Sequence, residues 1–201
     1  MSTAIYTHPD CRLHDMGAWH PESPQRLQAI ADQLIASRLD SVVEHRQAEP
    51  AAEAELARVH TGAAIALVRE QVEQLEAQGG GLYPLDGDTA VNRYSWRAAL
   101  AAAGAAVAAT DAVIAGELDN AFCAIRPPGH HARPSAPMGF CLFNNVAIAA
   151  RHALEVHGLR RVAIVDFDVH HGNGTEEAFA GDPQVLMVGL FQHPFYPYSG
   201  A

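Results

Sequence analysis

Three side chains that commonly bind metals follow the apolar run 162–165 at alternate positions: Asp166, Asp168 and His170. If the strand pleat continues through them, all three point to one face and can reach the same cavity. A carboxylate with an imidazole suits Zn²⁺, or Fe²⁺ and Co²⁺ with similar geometry, but a tight site needs a third ligand from elsewhere. Alternatively, the aspartates cap the following turn and the histidine fills space. The flanking His-His-Gly-Asn-Gly favours the metal site.

Two adjacent histidines, His130 and His131, follow the segment Arg-Pro-Pro-Gly. Two prolines and a glycine predict a tight, exposed loop, which is a poor place for core histidines. Adjacent imidazoles suit acid–base chemistry, because each titrates near neutrality and neighbouring groups can separate their roles. A surface loop that merely contains two histidines is the alternative. The second cluster nearby favours the catalytic interpretation.

Aromatic residues occur in two further loops, 138–141 and 194–197. Exposed loop aromatics can form the walls of a narrow apolar channel, although such residues more often pack over the core. His20 and His60 each stand just before a predicted helix. Both are therefore interpreted as structural residues.

Apolar periodicity identifies the elements that must position these residues. A first helix is predicted with Ser23 as N-cap and Pro24 at its first position. Further helices are predicted over about 61–78, from Ser95 to near Gly116, and over about 145–157. Short apolar runs at 122–125, 162–165 and 185–190 indicate buried strands. Strands that alternate with helices predict a mainly parallel sheet, whose strand ends deliver both histidine clusters and the second aromatic loop to one edge.

The composition restricts the partners and the compartment. The 201 residues are 49% hydrophobic, which suits a single α/β domain over 1–201, and carry a net charge of −10. An acidic chain argues against sequence-independent nucleic-acid binding. The first residues, MSTAIYTHPD, have neither a basic nor an apolar signal region, so no secretory signal is predicted, and the apolar run 98–109 is too short to predict a membrane span. Three cysteines without CxxC spacing favour a cytoplasmic location.

Two long segments resemble the active-site core of histone deacetylases: RPPGHHARPSAPMGFCLFNNVAIAA and VAIVDFDVHHGNGTEEAF. They are most similar to class II and bacterial deacetylase-like amidohydrolases, and HPESPQRL, LARVH and LDGDTAVNRYSWRAALAAAGAAV extend the resemblance over nearly the whole chain. The resemblance implies an arginase-like, three-layer α/β/α fold. It also implies truncation at the C-terminus, because family members supply a third zinc ligand and an oxyanion-stabilising tyrosine further downstream.

The same resemblance assigns a role to individual residues. Zinc would be bound by Asp168 and His170, while His130 pairs with Asp166. His131 would be the general base and acid, held by Asn173, which is an aspartate in class I members. Phe140 and Tyr196 match the channel walls, Gly139 a channel-facing carbonyl, and Asp88 a contact to the substrate backbone. A structural K⁺ would bind carbonyls of Asp166, Asp168, His170 and Leu190, although Gly189 replaces a serine that usually assists.

Three functions remain open from the sequence. The first is hydrolysis of acetyl-lysine in proteins, and the second is deacetylation of acetylpolyamines or other small amides. The third is a non-catalytic fragment, since residues 1–201 by themselves are expected to be poorly soluble or partly unfolded, and inactive. No nucleic-acid or membrane partner is expected, and a homo-oligomer stays open.

Overall fold

The computed structural model describes residues 2–200, so Met1 and Ala201, the two ends of the predicted domain, lie outside the described residues. Its strands are β1 Thr3–Tyr6, β2 Glu44–Arg46, β3 Leu82–Pro84, β4 Ala90–Asn92, β5 Asn120–Cys123, β6 Val162–Asp166 and β7 Val185–Gly189. Its α-helices are α1 Gln25–Ala36, α2 Glu53–Leu56, α3 Gly62–Ala77, α4 Ser95–Ile114, α5 Asn145–Glu155 and α6 Asn173–Phe179. A 3₁₀ helix covers Pro9–Arg12.

Parallel pairing dominates the strands. One sheet has the order β2-β1-β5, β6 pairs with β7 in a second parallel sheet, and β3 and β4 form an antiparallel pair. Along β1, Ala4 and Tyr6 pack with α4, whereas Ile5 packs with Leu27 of α1. This alternation follows from the two-residue period of a strand, and it places helices on both faces of the sheet. The predicted mainly parallel α/β architecture is therefore present.

Several predicted boundaries differ from the structure. The strand predicted at 122–125 lies two residues earlier, because β5 takes its register from β1, where Thr3 pairs with Asn120. Ser23 was predicted as the N-cap of α1, but Pro24 occupies that position and makes no side-chain cap. Thr61, in contrast, caps α3 by accepting a hydrogen bond from the Ala64 amide. The predictions missed β1 to β4, α2 and α6, most of which are too short for a periodic signal.

The helix predicted from Ser95 to near Gly116 is α4, which extends beyond the apolar run 98–109 at both ends. By length and composition alone α4 could cross a membrane, but half of its apolar stretch is buried inside the protein. A single helix of this kind is weak evidence for a membrane span, because a buried core helix can have the same length and composition. Here α4 packs against α5, β1 and β5. Its small side chains allow close approach, as at Gly104, where a Cβ would lie 2.1 Å from the Glu49 carbonyl oxygen.

A buried ion pair anchors the start of the loop that carries His130 and His131. The Arg126 side chain is fully buried, and its guanidinium donates to both carboxylate oxygens of Glu22. It also donates to the backbone carbonyls of Cys11 and His14, at 3.0 and 2.7 Å. Every nitrogen of the guanidinium thus has an acceptor. Removing one partner from such a pair leaves an uncompensated charge in the interior.

We expect Glu22→Gln to lower the free energy of unfolding of the complete gene product by about 3–5 kcal/mol, because Arg126 would stay charged and buried. Urea unfolding measures the effect. Glu44→Gln is the matched control, since Glu44 pairs with Arg46 on the surface, where solvent screens the pair and its contribution to stability is small. Equal losses in the two variants would contradict the special role of the buried pair.

His60 is a buried histidine that the fold keeps neutral. Its Nδ1–H donates to the Arg133 carbonyl at 3.1 Å, and its Nε2 accepts the Asn144 amide at 2.9 Å. A proton on Nε2 would face that amide. Burial lowers the pKa of His60 to about 4. The structural role predicted for His60 agrees with these contacts.

Stability should therefore decrease on acidification. Between pH 6.5 and about 4 the unfolded chain binds a proton at His60 that the folded protein does not, so stability is full above this window and falls within it. Within this window, His60 alone lowers the free energy of unfolding by up to about 1.4 kcal/mol per pH unit. Urea unfolding at several pH values should give a shallower decrease for His60→Gln than for the parent. An identical slope in both proteins would contradict the assignment.

Candidate active site

The paired histidines lie where the loop after β5 meets the loop after β6. The His130 and His131 rings are 4.0 Å apart between centroids. Backbone amides of Gly174 and Thr175, in the first turn of α6, donate to the His130 carbonyl at 3.0 and 3.1 Å. β5 and β6 are not hydrogen-bonded to each other within residues 2–200, so these loop contacts bring the two strand ends together.

His130 pairs with Asp166, the last residue of β6. Its Nδ1 lies 2.9 Å from Asp166 Oδ2. Burial opposes the charge of Asp166, yet the hydrogen bond and charge of His130 hold the pKa of this carboxyl below its usual range. Gly172 allows the approach, because a Cβ there would lie 2.3 Å from Asp166 Oδ2. The pairing predicted from the resemblance is present.

His131 is oriented by Asn173, the first residue of α6. Its Nδ1 lies 2.8 Å from Asn173 Oδ1, while the amide nitrogen of Asn173 faces the Met138 sulfur at 3.3 Å. An amide oxygen only accepts, so Nδ1 carries the proton and Nε2 keeps a free lone pair. Burial, and then the neighbouring His130, lower the pKa of His131 to about 4. His131 is therefore a neutral imidazole at pH 7 that can accept a proton at Nε2.

Asp168 and His170 meet through a turn and not through strand alternation. β6 ends at Asp166, whose Oδ1 accepts the Asp168 amide at 3.2 Å. Asp168 Oδ1 in turn accepts the His170 amide at 2.8 Å and lies 3.0 Å from His170 Nδ1. The predicted pleat through these residues was wrong, because aspartate side chains that bond amides two residues ahead favour turns. The predicted pair nevertheless forms.

The Asp168–His170 pair fits two corners of a zinc site. Ligands about 2.0–2.2 Å from a tetrahedral zinc lie roughly 3.3 Å from each other, close to the observed 3.0 Å between Oδ1 and Nδ1. Both side chains are partly exposed, at 48% and 36%, which leaves room for further ligands. Within residues 2–200, no third histidine, cysteine or carboxylate completes a three-ligand cluster with this pair.

Aromatic rings surround this pair and His131. The Tyr196 ring lies 5.1 Å from the His131 ring and 6.0 Å from the His170 ring, with edge-on geometry. Phe195, which belongs to the same predicted aromatic loop, stacks on His170 at 5.7 Å. His20, which the sequence predicts to be structural, also lies beside the predicted channel wall: its ring is edge-on to Phe140 at 4.7 Å. No local signal distinguishes His20 from a residue that only precedes a helix.

Gly139 carries the tight turn into Phe140. Its φ of +58° favours glycine, and a Cβ there would lie 2.5 Å from His131 Cδ2. The Phe140 amide donates to the Thr89 hydroxyl at 3.0 Å, and that hydroxyl bonds to Asp88 at 3.1 Å. Desolvation, and then the charge of Asp86, raise the pKa of Asp88. Asp88 is thus joined through Thr89 to the predicted channel wall.

The predicted potassium site involves the backbone of β6 and its neighbour. The Asp166 carbonyl accepts the Leu190 amide at 2.9 Å, which extends the pairing of β6 with β7 by one residue. This bond uses one lone pair of the carbonyl and leaves the other. Potassium binding stays a prediction.

Comparison with known proteins identifies the family. The profile described as histone deacetylase domain matches residues 20–201. The histone deacetylase-like amidohydrolase of Pseudomonas aeruginosa is 42% identical over 186 residues, covering 92% of this chain and 47% of that protein. Polyamine deacetylase HDAC10 of Homo sapiens is 39% identical over 209 residues, covering 98% of this chain and 31% of that protein.

A solved structure extends the similarity to three dimensions. The crystal structure of the HDA15 HD domain superposes with a TM-score of 0.92 at 38% identity, over 100% of this chain and 56% of that one. The chain thus spans about half the length, or less, of the relatives that it matches. The predicted arginase/deacetylase-like α/β fold is confirmed. Since the family profile covers most of the sequence, including both histidine motifs, this chain belongs to the histone deacetylase family of amidohydrolases.

Proposed function

We propose that the protein containing this chain is a zinc-dependent deacetylase that removes acetyl groups from lysine side chains of proteins. The observation that carries the proposal is the position of His131. Its free Nε2 belongs to a neutral imidazole held by Asn173, and its ring lies 5.9 Å from that of His170. A proton acceptor beside two metal-binding side chains suits hydrolysis of an amide.

Each side chain then has a defined task in the proposed reaction. When bound, zinc supplies a Lewis acid for the amide carbonyl and for a water molecule. Nε2 of His131 accepts the proton of the attacking water and later donates it to the departing amine. Asn173 keeps the His131 proton on Nδ1 throughout. His130, paired with Asp166, stabilises negative charge that develops on the substrate oxygen.

A second candidate substrate is an acetylated small amine. Two observations favour it: a 39% identical relative is named a polyamine deacetylase, and Asp86 and Asp88 lie near the proposed channel wall. Both carboxylates are close enough to affect Tyr196. Desolvation is the main reason that the pKa of Tyr196 is raised, and the negative charges of Asp88 and Asp86 raise it further. Acidic groups beside a channel would attract a cationic polyamine.

The experiment that tests the function compares substrates on the complete gene product loaded with zinc. An acetyl-lysine peptide and an N-acetylated polyamine are assayed side by side for kcat/KM. A higher value for the peptide supports the first substrate class, and a higher value for the polyamine supports the second. Absence of turnover with both, in protein of measured zinc content, would overturn the proposal.

We further expect residues 1–201 by themselves to be inactive. Within residues 2–200 the Asp168–His170 pair lacks a third ligand, whereas catalytic zinc sites usually have three from the protein. Apolar side chains on β7, including Leu186 and Val188, are exposed and favour aggregation. Turnover of an acetyl-lysine peptide by the isolated piece, with a cooperative thermal transition, would contradict this expectation.

A cytoplasmic location is also part of the proposal, supported by three free cysteines.

A further inference from the structure

A second cluster of metal-binding side chains lies away from the candidate active site. Asp111 comes from α4, His152 from the last turn of α5, and His157 from the segment after α5. Asp111 Oδ1 lies 2.7 Å from His152 Nε2 and 2.6 Å from His157 Nε2. The three donor atoms lie within 4.8 Å of one another. The active-site loop contacts the opposite end of α5, roughly 10 Å away along the helix.

The His152 ring lies between two carboxylates. Its Nδ1 lies 3.1 Å from Glu55 Oε2, while its Nε2 lies 2.7 Å from Asp111 Oδ1. A neutral imidazole has one N–H, so it can donate to only one of these two carboxylates. With that N–H directed at Glu55, Nε2 presents a lone pair toward Asp111, as a metal-binding imidazole would. His157 Nε2 reaches the same oxygen atom at 2.6 Å. These are hydrogen-bond distances, and a metal ion among the three atoms would widen them toward the roughly 3.3 Å expected between zinc ligands.

Glu55 occupies the position of an outer-shell partner. A histidine that binds a metal through one ring nitrogen almost always donates the other N–H to a carboxylate, a carbonyl or a water. The Glu55–His152 contact has this arrangement, with Nε2 left to bind the metal. The side chain of His152 is only 7% exposed, so its orientation is held by packing.

The surrounding charges favour a cation. Asp111, Glu55 and Glu155 supply three carboxylates, and Arg58, which pairs with both glutamates, supplies one guanidinium. The group therefore carries two more negative than positive charges before a metal binds. The C-terminal end of α5 adds partial negative charge from its free carbonyls.

An ion could reach the cluster from solvent. Side-chain exposure is 47% for Asp111 and 25% for His157, which leaves one side open for a water ligand. Two imidazoles, one carboxylate and an open position match the ligand number of three-ligand zinc sites. Zn²⁺ fits this set, and Co²⁺ takes the same geometry.

We propose that Asp111, His152 and His157 form a second binding site for a divalent transition metal of the zinc type, which links α4 to the end of α5. The site is separate from the Asp168–His170 pair and does not depend on the proposed catalytic activity. Binding to the folded protein alone would stabilise the fold by mass action.

The test uses Co²⁺ as a spectroscopic probe for Zn²⁺ in the complete gene product. Asp168→Ala and His170→Ala are combined to remove binding at the catalytic pair, and Co²⁺ is titrated while its visible d–d absorption and bound metal are measured. One equivalent of bound Co²⁺ is expected in this background. Adding His157→Gln or Asp111→Asn should remove it, and Glu55→Gln should weaken it about 10–100-fold.

The matched control is His45→Gln. His45 and Asp40 form an exposed His–Asp pair at 3.0 Å that is not part of the three-residue cluster, so its loss should leave Co²⁺ binding unchanged. Thermal unfolding checks that each variant is folded, and added Zn²⁺ should raise the Tm of the background but not that of the His157→Gln variant. No bound Co²⁺ in the background, or equal binding with and without His157, would overturn the proposal.

Discussion

Asp168→Ala in the complete gene product is expected to abolish zinc binding at the candidate active site and, with it, amide hydrolysis. Asp168 Oδ1 is one of the two donor atoms, and it also holds His170 by accepting its amide and contacting Nδ1. The substitution thus removes one ligand and frees the other. His170→Ala should have the same effect, because a catalytic zinc site rarely tolerates the loss of one of three protein ligands.

Metal analysis after dialysis provides the measurement, with activity assayed in parallel. Any zinc at the Asp111 cluster is counted separately by repeating the analysis in the His157→Gln background. Asp32→Ala serves as the control, since Asp32 lies on an exposed helix face and bonds only to Gln28 among the described contacts. If Asp168→Ala and His170→Ala both keep the zinc content of the parent, the assignment of the metal site is wrong.

His131→Ala is expected to reduce kcat by about 10²–10⁴-fold while zinc remains bound, which is the usual contribution of general acid–base catalysis. The side chain contacts Asn173 and carries the free Nε2, whereas the proposed zinc ligands are other residues. His131→Ala should therefore lose activity without losing zinc, whereas Asp168→Ala should lose both.

His45→Ala is a suitable control, because His45 is exposed and pairs with Asp40 on the surface. Single-turnover rates at saturating substrate distinguish loss of chemistry from loss of binding. Retention of more than about a tenth of the parent rate would contradict the proposed role, given the size of general acid–base effects. Loss of zinc from His131→Ala would instead indicate a structural role for this histidine.

The sequence by itself was sufficient for features that depend on near neighbours. The helix α3 follows from its apolar positions, such as Ile65, Val68 and Val72, and from the cap at Thr61. The tight turn at Arg-Pro-Pro-Gly is also local, since proline and glycine restrict the backbone within a few residues. The predicted exposure of this loop is wrong, however, because tertiary packing buries Arg126 and Pro127. The turn after β6 is local too, but the sequence offered it only as the alternative to a continued strand pleat. Resemblance to a family then assigned roles that spacing did not contain, including the pairing of His131 with Asn173.

Only the tertiary structure decided which distant side chains meet. Glu22 and Arg126 are 104 positions apart, and their pairing depends on how the 3₁₀ helix, α1 and the loop after β5 pack together. The shift of β5 arises because its hydrogen bonds are made to β1, more than a hundred residues away. The Asp111–His152–His157 cluster exists only because α4 packs against α5. Periodicity reports which face of an element is buried, whereas the partner across that face is selected by packing of the whole chain.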